Sequence, residues 1–362
     1  MSIIAHLSTS EQLESKVDCF FREHRVGGLL KRCNFGKETG FSCLYLLKFV
    51  FLLAFTGKNL FQLLQTETAG GRHPGKDSVY RFLNNCRFNW RRLLLLLAGG
   101  IVKERLQPLT AAERVKVLIV DDSLFSRGRS KTVELLARVF DHATHRYVRG
   151  FRMLTVGWSD GNTFMPLCFS LLSSEKADNR LQGANDKIDK RTVGYRRRRE
   201  AVRKAPEVLL ELIRQALEVG VEATHVLFDS WFAFPGTIQK IFDRGLHVIC
   251  MLKALPTVKY NFNGQVLTLK QLYAAVRKRP GRARFLASLT VTLVKDAQGL
   301  PIKAKIVFVR DRRNSGKWLA LLSTDLTLSD EEVVRIYGKR WDIEVFFKMT
   351  KSYLNLAKEF QG

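Results

Sequence analysis

Acidic side chains are scarce in this sequence. Its 362 residues hold 34 Asp and Glu against 60 Lys and Arg, a formal net charge of +26. A folded chain with that excess repels itself unless a polyanion absorbs the field, so nucleic acid is the leading partner. An anionic membrane is the other polyanion, but no spanning segment is present. The longest apolar run, Phe41 to Phe55, has Lys48 inside it and falls short of the roughly 18 to 20 residues a span needs. It reads as a buried helix of a soluble fold. The N-terminal MSIIAHLSTSEQLESK lacks the basic, apolar, small-residue order of a secretion signal, which makes the cytoplasm the expected compartment.

Other chemistries are missing too. The six cysteines, at 19, 33, 43, 86, 168 and 250, form no C-x-x-C pair and fit neither a disulfide framework nor a zinc site, so reduced thiols are expected. His142 and His145 form an H-x-x-H without a third matching ligand nearby, and no zinc is expected there. The sequence has no G-x-x-x-x-G-K-S/T phosphate loop, no G-x-G-x-x-G after a strand and no G-x-S-x-G elbow. Disorder is excluded by a hydrophobic content of 46%, and the length suits two or three folded units.

The first hundred residues read as helical. Leu44, Leu47, Phe51 and Phe55 recur at helical spacing, and after a Gly-rich loop, Thr68 to Ser78, a helix capped by Asp77 or Ser78 carries Tyr80, Phe82 and Leu83. This region is either a DNA-reading module or a plain bundle with a basic face. From Val115 the pattern changes to a β-branched run, VKVLIV, that ends in Asp121 and Asp122. Tyr147 to Trp158 and Thr163 to Leu171 predict a hairpin about Ser159-Asp160-Gly161-Asn162. A basic segment, Arg180 to Lys204, follows with ten Lys or Arg against three acids. Its run Arg196, Arg197, Arg198, Arg199 is either solvated or contacts phosphates. The α/β rhythm resumes with a helix over 206–219, a strand over 225–230, a helix over 234–244 and a strand over 247–252. It lapses into β-rich sequence from Ala254 to about Ser323, and Ser329 then caps a helix expected to run to the chain end.

Three acidic positions stand out: the Asp121-Asp122 pair and Asp229, at strand ends, and Glu344 on the last helix. Open α/β sheets place ligand-binding side chains at the carboxyl ends of their strands. Carboxylates converging from separate elements repel one another unless cations neutralise them, and Mg²⁺ favours a few carboxylates with phosphate oxygens. Two such ions support in-line phosphodiester displacement. On one continuous helix, Tyr337, Arg340, Glu344 and Lys351 would share one face within about 60°.

The strings VDDSLFSRGRSK, VLFDSWFAFP and YGKRWDIEVFFKMTK resemble the signature blocks of DDE transposases of the insertion-sequence-four family. The Y-(2)-R-(3)-E-(6)-K signature of that family is matched by Tyr337, Arg340, Glu344 and Lys351, and GKDSVYRFLNN near Gly75 extends the resemblance. It implies an α/β fold: an RNase H-like core interrupted by a β-rich insertion before the last helix, plus an N-terminal helical domain. The divisions are then 1–110, helical and DNA-binding; 111–253, the first part of the catalytic core; 254–328, the insertion; and 329–362, the catalytic helix.

The resemblance further implies a metal-binding catalytic triad of Asp122, Asp229 and Glu344. Asp122 is preferred to Asp121 because the family motif puts the catalytic Asp directly before a small hydroxyl residue, here Ser123. Two Mg²⁺ ions are implied, with Mn²⁺ able to substitute. Trp318 stands where the family stacks a flipped base, Tyr337 and Arg340 where it contacts neighbouring phosphates, and Lys351 where it contacts the transferred strand. The implied activity is cut-and-paste transposition of a bacterial insertion sequence, acting on double-stranded DNA at terminal inverted repeats and target as a homodimer. The open alternatives are a decayed copy that binds DNA without catalysis and a nuclease of the same fold. Family members usually continue into further helices, whereas this chain ends at Gly362, so a truncated copy is also an expectation.

Overall fold

The computed structural model describes residues 10–56, 60–66, 73–141, 144–281, 283–311 and 316–357. His142 of the H-x-x-H and residues 68–72 of the Gly-rich loop lie outside them. The chain opens with helices α1 (Ser10–Glu23), α2 (Val26–Arg32), α3 (Cys43–Thr56), α4 (Leu60–Thr66), α5 (Lys76–Leu83) and α6 (Trp90–Ile101). They share a core of their own in which Phe21, Leu30, Phe82 and Phe88 are buried, with Phe35 stacked on Phe88 at 4.5 Å between ring centroids.

Two expectations for this region need correction. Gly75, not Asp77 or Ser78, caps α5; Asp77 sits in its first turn, where its charge favours the helix dipole. The run from Phe41 to Phe55 is helical but only half buried, because a helix apolar on every side cannot hide them all in a thin layer of helices. Cys43 and Leu46 face the core, while Tyr45, Phe51 and Phe55 stay exposed. Among the described residues no helix is long and apolar enough to cross a membrane.

Beyond α6 the chain builds β1 (Val117–Ser126), β2 (Ala137–Asp141), β3 (Arg146–Ser159) and β4 (Phe164–Leu172). Then come α7 (Val193–Glu200), α8 (Ala205–Glu218), β5 (His225–Phe228), α9 (Pro235–Phe242) and β6 (His247–Leu252). The hairpin expected about Gly161 is β3–β4, with Gly161 at φ +92. In space the strands run β4-β3-β1-β5-β6; β1, β5 and β6 are parallel, and β3 is antiparallel to both of its neighbours β1 and β4. This is a mixed α/β sheet flanked by helices.

The β-rich stretch forms β7 (Lys259–Phe262), β8 (Gln265–Thr268), α10 (Leu269–Ala275), β9 (Phe285–Lys295), β10 (Pro301–Arg310) and β11 (Trp318–Ser323). Its strands extend the same sheet, because β11 pairs antiparallel with β6 and the path continues through β10, β9, β7 and β8. Strand β2 and helices α7 and α10 are not foreshadowed by the sequence pattern.

The last helix is broken in two, α11 (Asp330–Gly338) and α12 (Trp341–Tyr353), which corrects the expectation of one continuous helix. Gly338 favours a break. Around the junction the amides of Lys339, Arg340 and Asp342 each donate to the carbonyl three residues back, tightening the turn. Its anchors are external: the Lys339 amine donates to the carbonyls of Val115 at 2.6 Å and Asp160 at 3.0 Å, and Asp342 accepts from the Ser159 hydroxyl at 2.7 Å.

Each face of the central sheet buries its own core. Leu118 and Val120 of β1 pack with Leu209, Leu212 and Ile213 of α8. Val117 and Ile119 pack with Val333, Ile336, Ile343 and Phe347 of α11 and α12. The N-terminal helices are tied to this core by a buried ion pair. Arg91 of α6 donates to both carboxylate oxygens of Glu200 at 2.8 and 2.5 Å and to the Phe169 carbonyl at 3.1 Å. The Arg91 side chain is 7% exposed and that of Glu200 12%. Glu200→Ala would strand the guanidinium in the interior, and a loss of about 3–5 kcal/mol in chemical denaturation is expected.

A candidate site of clustered carboxylates

Strands β1 and β5 pair in parallel through Val117 with His225, Leu118 with Val226 and Ile119 with Leu227. Continued by two residues, that register brings Asp121 level with Asp229, just past the carboxyl end of β5. Side chains alternate faces along a strand, so Asp121 follows Val117 and Ile119 onto the side covered by α11 and α12. Asp122 follows Leu118 and Val120 toward the α8 side.

The partners of the two aspartates agree with that alternation. Asp121 lies 3.6 Å from a guanidinium nitrogen of Arg340, which also donates to Glu344 one turn further along α12. Asp122 instead accepts from Arg152 on β3, and the Arg152 guanidinium lies 5.4 Å from the ring centre of Trp231. Asp229 accepts from the backbone N–H of Trp231 at 2.9 Å.

Burial pushes the Asp121 carboxyl up to about 7; Arg340 opposes the rise, and the charges of Asp122 and Asp229 add to it. Asp229 is raised as well, chiefly by burial, with the Trp231 hydrogen bond working against it and Asp122 adding to it. These three acids therefore share one electrostatic environment, in which Arg340 and Arg152 offset part of their charge. Arg340 alone bridges Asp121 and Glu344. Among the described residues no three His, Cys, Asp or Glu side chains stand close enough to hold a metal ion as they lie.

The remaining expected residues divide. Lys351 donates to the Ser123 hydroxyl at 2.5 Å, on the same face of β1 as Asp121, and burial lowers the pKa of its amine. Tyr337 is on α11; its hydroxyl is buried without a partner at hydrogen-bonding geometry, and burial holds it protonated well above the usual phenol range. The four signature side chains thus come from two helices and the turn between them. Trp318 is half buried in an aromatic cluster on the added strands, 4.9 Å from Tyr273 and 5.0 Å from Phe308 between ring centres.

Arg197 and Arg198 are used inside the protein. Arg197 donates to the Phe169 carbonyl at 3.1 Å, and Arg198 grips Glu134 with two hydrogen bonds at 2.5 and 2.8 Å. Neither expectation for that run, solvated or phosphate-contacting, describes these two, whereas Arg196 and Arg199 remain exposed.

Two groups at the site are not evident from sequence reasoning. Arg152 has no local motif, and only the β1–β3 pairing brings it to Asp122. Trp231 is 52% exposed beside Asp229. Its signal was available, since it stands two residues after the acid in VLFDSWFAFP.

The sequence pattern described as DDE superfamily endonuclease matches residues 44–312. That is well over half of the chain, and the chain belongs to this family. Asp121, Asp122 and Asp229 lie inside the matched stretch; Trp318, Tyr337, Arg340, Glu344 and Lys351 lie beyond it. Among solved structures, the Drosophila P element transposase strand transfer complex is similar over 74% of this chain and 55% of that one, at 14% identity and a TM-score of 0.31. The chain spans about half the length of that protein. No curated protein matches.

Because the Tyr337 hydroxyl is buried and, among the described residues, has no partner at hydrogen-bonding geometry, its removal relieves a desolvation cost. Tyr337→Phe should leave the denaturation midpoint unchanged or raise it, by up to about 1–3 kcal/mol in stability. A clear loss of stability would assign the hydroxyl a structural partner.

Proposed function

We propose that the protein is a metal-dependent DNA transposase of the insertion-sequence-four type, cleaving at the terminal inverted repeats of its element and joining the freed 3′-hydroxyl to target DNA. The observation that supports it most is the parallel β1–β5 register. It brings Asp121, which lies in the middle of β1 and not at its end as the sequence suggested, level with Asp229 just past the end of β5, on the face covered by the helix that carries Glu344. Membership of the DDE superfamily endonucleases supports the reaction class.

The donor chemistry fits a hard divalent cation, since every candidate ligand is a carboxylate and the buried Asp121 and Asp229 lack full compensating charge. Asp121, Asp229 and Glu344 would hold it. The family motif favours Asp122 as the first ligand; the strand alternation and the engagement of Asp122 by Arg152 support Asp121 instead. Two Mg²⁺ ions, with Mn²⁺ able to substitute, would activate a water or 3′-hydroxyl and stabilise the leaving oxygen.

The other roles belong to the protein's own side chains. Arg340 neutralises Asp121 and Glu344, and its guanidinium has the geometry of a bidentate donor to a phosphate. Lys351, held by Ser123, keeps a cation beside the first strand. The exposed face of Trp231 offers a stacking surface for an unpaired base next to Asp229, a place that the packed Trp318 does not provide. The partner is double-stranded DNA, and the working assembly is a homodimer.

Asp229→Asn should abolish metal-dependent cleavage of a labelled inverted-repeat end while leaving its binding nearly intact. Asp121→Asn should behave in the same way, and Asp122→Asn should retain cleavage. The opposite outcome for the two neighbours returns the first ligand to Asp122. Hydrolysis of a labelled end without joining would make the protein a nuclease of this fold, and binding without cleavage would make it a decayed copy.

A further inference from the structure

A groove of about 960 Å³ lies between the N-terminal helices and α7–α8, and its walls are strongly basic. Its walls carry eight arginines but only three glutamates. Four of the arginines are neutralised within the protein. Arg91 and Arg197 bind Glu200, Arg203 binds Glu207 at 3.3 Å, and Arg214 binds Glu211 and Glu218. The other four, Arg32 at the end of α2, Arg92 in the first turn of α6, and Arg196 and Arg199 on α7, are exposed and have no acidic partner among the described residues. Arg196 and Arg199 are three residues apart and so share one side of their helix.

We infer that this groove binds the phosphate backbone of a DNA segment that lies away from the carboxylate site. Acids are scarce in this chain, and the fold commits those available here to the groove's other four arginines. Four unneutralised guanidiniums from three helices repel one another until an external polyanion joins them. A single phosphate takes one or two guanidiniums; a backbone offers a row of them, each able to accept a bidentate pair. A bilayer surface cannot follow a recess between helices.

The groove is also set apart from the acids. Its wall α8 packs on the sheet face that carries Leu118 and Val120, opposite the face covered by α11 and α12. DNA held there is therefore a flanking stretch of duplex, positioned while another stretch meets Asp121 and Asp229. Arg91 and Glu200 keep the two walls together, so the groove is built into the joint between the helical region and the core.

This inference rests on the DNA-acting reading above, and its test separates the two. Binding of a labelled duplex is measured by fluorescence anisotropy over a range of salt, with EDTA present, for the wild type and for a variant with Arg32, Arg92, Arg196 and Arg199 all changed to Gln. A control variant loses four exposed cations of the added strands and their flanks instead: Lys259, Lys270, Arg277 and Lys303. The slope of log affinity against log salt should shrink by about 0.9 for each phosphate that is no longer neutralised, roughly 2 to 4 in all, in the groove variant and stay near wild type in the control. Arg196→Gln with Arg199→Gln alone, both on the exposed side of α7, should shrink it by about 1 to 2 and serves if the fourfold variant fails to fold.

Metal-dependent cleavage is assayed in parallel on the wild type. An unchanged slope in a protein that binds and cleaves overturns the groove and leaves the transposase reading standing. A groove-dependent slope without any cleavage upholds the groove and removes the catalytic reading. A wild type that binds no duplex overturns both.

Discussion

The functional geometry depends on three parallel residue pairs between β1 and β5. Because those strands run side by side in a fixed register, two acids over a hundred residues apart in sequence end level with each other, and a slip of one residue would send one of them to the opposite face. The register is held from both sides of the sheet. Leu118 and Val120 are committed to the α8 layer, and Val117 and Ile119 to the layer of α11 and α12. The alternation that buries those four residues also separates Asp121 from Asp122.

Charge follows the same logic of scarcity and placement. With so few acids available, the fold commits them where a buried or crowded cation requires one: Glu200 under Arg91, Glu134 under Arg198, Asp122 under Arg152. Around Asp121 and Asp229 the imbalance is reversed, and carboxylates crowd with Arg340 as the bridging cation. In the groove beside α7 four arginines have no acidic partner among the described residues.

Much of the architecture was legible from local pattern. The hairpin at Gly161, the helix and strand alternation from Ala205 to Leu252 and the β-rich stretch after it follow from hydrophobic period and turn chemistry, which are properties of neighbouring residues. Strand β2 was not legible, because its five residues alternate too briefly to stand out and are fixed by pairing with β3. Helix α7 was hidden by its own charge, since a run of four arginines looks solvated until Glu134 is brought to it by the fold. The break between α11 and α12 depends on Val115, Asp160 and Ser159, none of them near it in sequence.

What the sequence by itself determined is the inventory: a strongly basic chain, acids at the ends of apolar strand runs, a glutamate spaced between cations near the last helix, and the signature strings that carry the resemblance. Those are local spacings, and local spacing survives without a fold. Tertiary structure alone decided which of two adjacent aspartates lies level with Asp229 in the strand register, which of four consecutive arginines pair with acids inside the protein, and which tryptophan is exposed beside the acids. Each of those outcomes turns on side-chain direction and on partners remote in the chain, and a linear sequence does not carry direction.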